Sequence, residues 1–286
     1  MGLSKEELER LETKAHDLRH STVNTVLSAG SGHIGGALSA LDIMVMLYYH
    51  FMNHRPSDPC WEDRDRFVLS KGHAGIGFAS VLADLGYIEK EQLKTFNLTG
   101  SKLGIHLDSN KVPGVDASTG SLGHGLSIAL GMALAARHLK KNYHTFCILG
   151  DGECDEGSVW EAAMAIAHFK ATNLVTFIDR NQYMIDGNTE EVMRLEPFAQ
   201  KWRAFGFDTL IINGHSFNEL HTAIEQALVA SEKPVAIVCN TVKGCGVDFM
   251  EGNYKWHYGA INEEVAEQCH RSLDQYYERR IQEKGA

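Results

Sequence analysis

The chain has 286 residues, 44% apolar and 22% charged, a globular balance able to bury a large α/β core. A formal net charge of −10 and the lack of any basic stripe exclude a nucleic-acid backbone as the main partner. The charged start, MGLSKEELERLETK, excludes a secretory or transit leader, and no uninterrupted apolar run approaches about 18 residues, so a cytoplasmic protein with no membrane span is expected.

Ser4 and Glu7 make a capping-box pattern. It opens a helix in which Leu8, Leu11, Ala15, Leu18, Val23 and Val26 recur at helical spacing until Gly30 stops it. The glycine-rich turn SGHIGG (31–36) follows, and then a second helix over 39–52, apolar nearly all round and so expected to be buried. A polar linker with Pro56 and Pro59 leads to a short strand at 66–69, the turn SKGHA (70–74) and a helix reaching Gly86. Residues 98–125 are glycine-rich and aperiodic, and a loop that long inside a compact domain is usually functional. A helix of small residues over 126–138 comes next. From there strand-like runs at 144–149, 173–179, 207–212 and 234–239 alternate with helical patterns, one of them over 158–170 and another capped by Ser216 and Glu219. A polar, exposed helix is expected from 262. Alternation of this kind predicts βαβ units, so residues 1–286 read as one α/β domain, a doubly wound parallel sheet with helices on both faces. The six cysteines (60, 147, 154, 239, 245, 269) form no CxxC pair and are expected to be free thiols.

Ligands of a parallel α/β sheet sit beyond the carboxyl ends of its strands. There, after the strand at 144–149, the chain reads GDGECDEG (150–157). Its glycines let backbone N–H groups approach an anion at a helix start, yet Asp151 stands in the middle. A carboxylate at that position makes sense if a divalent cation bridges it to phosphate oxygens, and hard oxygen ligands suit Mg²⁺ or Ca²⁺. The turn after the next strand, DRNQYMIDG (179–187), brings Asn181 within reach of the same metal.

With these motifs in hand, the sequence resembles the thiamine-diphosphate enzymes, and among them the amino-terminal half of transketolase. SGHIGG (31–36), SKGHA (70–74), GIHLD (104–108), TGSLGHG (119–125), GDGECDEG with Asn181, and KWHYGA (255–260) are similar to that family's motifs and stand in its order. Ile34, Ser121 and His124 stand where the family has proline, proline and glutamine.

The resemblance implies that Asp151, Asn181 and the Tyr183 carbonyl ligate Mg²⁺, with Ca²⁺ or Mn²⁺ as substitutes. It places the Gly152 N–H, His73 and His257 by the diphosphate, and Gly120, Ser121 and Leu122 along the aminopyrimidine. His33, His106 and His257 face the reacting sugar, and Glu156 lies at the interface between active-site halves. Four of these histidines, 33, 73, 106 and 257, stand in glycine-rich turns, where a bulky polar side chain serves packing poorly. His16, His20, His138, His168 and His221 lie on helical patterns and read as surface or core residues; His50 and His54 read as capping or packing, and His124 and Cys154 as structural.

The implied activity is transfer of a two-carbon ketol unit from a ketose, as its phosphate, to an aldose, within pentose phosphate metabolism. In that family the glutamate that protonates the aminopyrimidine, and most sugar-phosphate contacts, lie in a second domain with no counterpart motif here. A companion chain in an α2β2 assembly is therefore expected. Other expectations are the α chain of a 2-oxo acid dehydrogenase, part of an enzyme like deoxyxylulose phosphate synthase, or a non-catalytic partner that binds the cofactor. The histidines at 33, 73 and 106 favour sugar chemistry over 2-oxo acids.

Overall fold

The computed structural model describes residues 2–285. Ser4 caps helix α1 (Lys5–Ala29) by accepting the Glu7 N–H at 3.1 Å, and Gly30 ends it in the left-handed region at φ 78°. The predicted SGHIGG turn then divides. Ser31–Gly32 is a short strand, β1, while helix α2 (Ile34–Met46) begins at Ile34 rather than at 39. Packing explains the difference: a Cβ on Gly35 would lie 2.7 Å from the Trp256 carbonyl oxygen, so this glycine is a close-contact point in a helix. Every residue of α2 is buried, and it runs on through a π turn at Leu47–Phe51. Ile34–Phe51 matches a membrane span in length and mean composition although Asp42 and His50 interrupt it, and 83% of it is buried inside the fold, as a core helix is.

The remaining elements are β2 (Arg66–Leu69), α3 (Gly75–Leu85), α4 (Gly125–His138), β3 (Thr145–Gly150), α5 (Gly157–His168), β4 (Leu174–Arg180), α6 (Thr189–Val192), α7 (Phe198–Ala204), β5 (Asp208–Asn213), α8 (Phe217–Leu228), β6 (Val235–Asn240), β7 (Gly259–Ala260) and α9 (Glu263–Gly285). Five strands form one parallel sheet in the order β2-β3-β4-β6-β5. Strand side chains alternate between its two faces. Phe146, Ile148, Val175 and Phe177 point into the core under α1, α2, α3 and α8, whereas Cys147, Leu149, Leu174 and Ile178 join that under α4, α5 and α7. Both faces being covered, the strands read as unbroken apolar runs, and the doubly wound α/β architecture is the one observed. All six cysteines are free.

Helix α9 departs from its expected exposure. Ala266, Cys269 and Leu273 are buried, and Arg280 reaches Glu12 at 2.6 Å and Asp42 at 3.3 Å. Asp42, wholly buried, also pairs with Arg19 and with His215, each at 2.8 Å. Arg280 thus closes a buried charge cluster whose members would be expensive to leave unpaired.

Candidate active site

The cavity sits beyond the carboxyl ends of β2, β3, β4 and β6, where order along the sheet departs from order in the chain. Its volume is ≈ 370 Å³. An antiparallel pairing of β1 with β7 ties the SGHIGG segment to KWHYGA and brings His33 against His257, ring centroids 5.4 Å apart. His73 stacks on His257 at 5.1 Å, and His106 lies 6.4 Å from His33. Four histidines from four separate turns therefore face one space. A Cβ on Gly120 would stand 3.1 Å from the His106 ring, so a larger residue there would press on that imidazole.

The implied metal ligands also converge. Asp151 accepts the Gly152 N–H at 2.8 Å on one oxygen, and the Gln182 N–H at 2.6 Å and Arg180 at 3.1 Å on the other. Asn181 is locked by donating to Asp179 at 3.1 Å and Ser39 at 3.3 Å, while its Oδ1 accepts from the Tyr183 N–H. The Tyr183 carbonyl oxygen accepts from the Lys243 ammonium at 2.8 Å, so a cation already stands at the third oxygen.

Of the sequence-derived residues, His33, His73, His106, Gly120, Leu122, Asp151, Gly152, Asn181, Tyr183 and His257 line the cavity. Ser121 and Glu156 do not. Ser121 is exposed, and Glu156 is exposed at the start of α5, where a Cβ on Gly123 would lie 2.7 Å from its Cβ.

Three charged lining residues are absent from the sequence-derived site: Lys71, Glu153 and Lys243. Glu153, buried, accepts from the Gly123 N–H at 2.9 Å, the Gly150 N–H at 3.0 Å and Ser70, pinning two glycine turns to the end of β2. Lys71 pairs with Asp179, which also accepts from Ser39 and Thr241. Burial alone would raise the Asp179 carboxyl, but Lys71 and these donors hold it below its usual value. Lys243 follows β6 just as Asp151 follows β3, and that strand-end position was the available signal.

Lys243 is 2% exposed, and its two partners, the Tyr183 carbonyl and His257 Nδ1 at 2.9 Å, are both uncharged. Burial, then the neighbouring Lys71, pull its ammonium down to about 8. Asp151 has the opposite need: burial and the Asp179 carboxylate push its carboxyl up despite Arg180. Lys243 has no carboxylate partner, and Asp151 stays raised even with Arg180 beside it. A divalent cation bound to a diphosphate supplies a partner for each, so the residues present fit that pair.

The histidines are held neutral. Burial, with His106 and Lys243 nearby, lowers His33 to about 4; burial, with Lys243 and His33, lowers His257 to about 3. Burial also depresses His73 and His106. Because the unfolded chain protonates near 6.5 and these folded imidazoles only well below it, stability is full above pH 6.5 and is lost as pH falls toward 4. His33→Asn with His257→Asn should flatten that decline. Melting temperatures from pH 7.5 to 4.5 check it, and an identical slope in wild type and variant contradicts it.

The family described as "Transketolase, thiamine diphosphate binding domain" matches residues 11–278. The chain belongs to the transketolase family. It is 43% identical over 257 residues to the 6-deoxy-6-sulfo-D-fructose transketolase subunit of Clostridium sp. (strain MSTE9), covering 89% of this chain and 93% of that protein. Identity to one subunit of the apulose-4-phosphate transketolase of Phocaeicola vulgatus is 41% over 273 residues, covering 96% and 97%. The crystal structure of transketolase from Campylobacter jejuni superposes with a TM-score of 0.87 at 32% identity, over 95% of this chain. This transketolase-family chain spans 45% of that solved chain.

Proposed function

We propose that this chain is one subunit of a two-chain enzyme that transfers a two-carbon ketol unit from a ketose to an aldose, with thiamine diphosphate and Mg²⁺. The observation that carries the reading is the charge pattern of the cavity, a buried unpaired ammonium facing a buried carboxylate beneath four neutral imidazoles. When bound, thiamine diphosphate supplies the electron sink for cleaving the ketose C–C bond. Asp151, the Asn181 side-chain oxygen and the Tyr183 carbonyl would hold the cation, and Lys243, now on the Tyr183 carbonyl, would offer its charge to the diphosphate. Gly152 N–H and His73 lie along the same anion.

The proton chemistry belongs to the imidazoles. Lys243 donates to Nδ1 of His257, so neutral His257 carries its proton on Nε2, which can donate to a sugar oxygen. Nδ1 of His33 is buried with no hydrogen-bond partner among the described residues, free to bind a substrate hydroxyl. His106, neutral and lining the cavity beside His33, is placed to accept a substrate hydroxyl proton.

Both subunit relatives are named for ketoses with an anionic end, a sulfonate in one and a phosphate in the other. A ketose with an anionic terminus is accordingly the donor class proposed here. The word "subunit" in those names supports a companion chain. Two copies of each chain and a cytoplasmic setting complete the proposal.

His106→Ala tests the reading. It should lower kcat by about 100-fold in the two-chain enzyme while leaving thiamine diphosphate affinity within a few-fold. Equal loss of cofactor affinity and turnover would move His106 into the cofactor cradle and remove its proton role.

A further inference from the structure

On the far flank from the cavity's turns, α1 and α9 lie against each other and carry a second histidine cluster. His16 and His20, one helical turn apart on α1, both face Asp274 of α9, with Nε2 to Oδ1 distances of 3.3 and 3.2 Å. We propose that His16, His20 and Asp274 form a binding site for a borderline transition-metal ion, Zn²⁺ or a close analogue, that clamps α9 onto α1.

The spacing matches. With ligand bonds of about 2.0–2.2 Å, neighbouring ligand atoms of a tetrahedral zinc site stand about 3.3 Å apart. All three donor atoms lie within 4.8 Å of one another, so a small closing of the His16–His20 gap completes one face of a tetrahedron. Two imidazoles and a carboxylate suit Zn²⁺, Co²⁺ or Ni²⁺, in contrast to the all-oxygen donors around Asp151.

The surroundings hold the ligands as metal sites require. His20 Nδ1 meets His270 Nδ1 at 2.7 Å, and His270 Nε2 meets the Asn24 side-chain oxygen at 2.9 Å. An amide oxygen only accepts, so His270 carries its proton on Nε2 and accepts on Nδ1. His20 then donates through Nδ1, which leaves a lone pair on Nε2. That lone pair faces the Asp274 carboxylate without hydrogen-bond alignment, and His20 Nε2 is buried with no hydrogen-bond partner among the described residues. Two acceptors turned toward one point are a ready seat for a cation. The chain from His20 to His270 to Asn24 is the outer hydrogen bonding that fixes the tautomer of a metal-bound histidine. His16 is held by stacking on Tyr277 at 4.5 Å, and Tyr277 in turn is fixed by Thr13 at 2.8 Å. Burial pulls the imidazoles of His16, His20 and His270 below their ordinary value. Asp274 is 57% exposed, which leaves an entry path and an open fourth position for water.

The test is titration of the full metal-stripped chain with Co²⁺ alone, read by visible absorption, and with Zn²⁺, read by melting temperature. One Co²⁺ per chain with a tetrahedral spectrum is expected, with a melting temperature raised several degrees by Zn²⁺. Asp274→Asn, a change at an exposed position that keeps the fold, and His20→Gln should each weaken binding by about 100-fold and abolish the thermal shift. His106→Ala should leave both readouts unchanged. Binding that survives Asp274→Asn and His20→Gln, or that is lost in His106→Ala, would assign the ion to the cavity histidines and overturn the proposal; so would no binding at all.

Discussion

Asp151→Asn should leave the protein folded and cost it thiamine diphosphate binding by two orders of magnitude or more. The substitution keeps the shape of the side chain and one oxygen, which accepts from the Gln182 N–H and Arg180 and leaves only the Gly152 N–H without its acceptor. Arg180, the other partner, retains Glu190 at 2.8 Å and Glu196 at 3.1 Å, so no buried cation is stranded. What disappears is the charge. An amide is a far weaker ligand for Mg²⁺ than a carboxylate, and without the cation a diphosphate meets Asp179 and the helix-end turn with only Lys243 to balance it. Calorimetric titration of the two-chain protein with the cofactor and Mg²⁺ measures the loss. An unchanged affinity in the folded variant would take the metal away from Asp151.

Much of this was legible before any coordinates. The sheet strands could be found because both faces are covered, so β3, β4 and β6 read as continuous apolar runs between turn signals. Asp151 and Asn181 were visible because each ends such a strand, and His33, His73, His106 and His257 because glycine-rich turns rarely need a bulky polar residue. Other features could not be read from local pattern. Lys243 is defined by Tyr183, sixty positions away in sequence, and by the missing carboxylate around it. Arg280 looked like a charge on a solvated helix; only the packing of α9 on α1 turns it into the partner of Glu12 and Asp42. His16 and His20 looked ordinary for the same reason, since Asp274 and His270 come from the opposite end of the chain. Gly35 misled because a glycine demanded by a close contact and one demanded by a turn are the same letter. Ser121 and Glu156 match the family's motifs in sequence, but neither lines this chain's cavity. The short helices α6 and α7 carry too few residues for a periodic signal.

The second large effect concerns what this chain lacks. Generating the reactive carbanion requires a carboxylic acid against the aminopyrimidine, and two carboxylates line the cavity among the described residues, Asp151 and Glu153. Asp151 is bound by Gly152, Gln182 and Arg180, and Glu153 by Gly123, Gly150 and Ser70. Neither is free to serve. The most direct measurement is therefore ketol transfer by the homogeneous chain, with a ketose phosphate, an aldose phosphate, Mg²⁺ and thiamine diphosphate, before and after addition of the companion chain. The account predicts turnover at background for this chain alone and a rise of at least about 1,000-fold on mixing, accompanied by a melting temperature that climbs with companion concentration. Robust turnover by the chain alone would contradict it, because a carboxylic acid within these 286 residues would then be doing the work assigned to the partner.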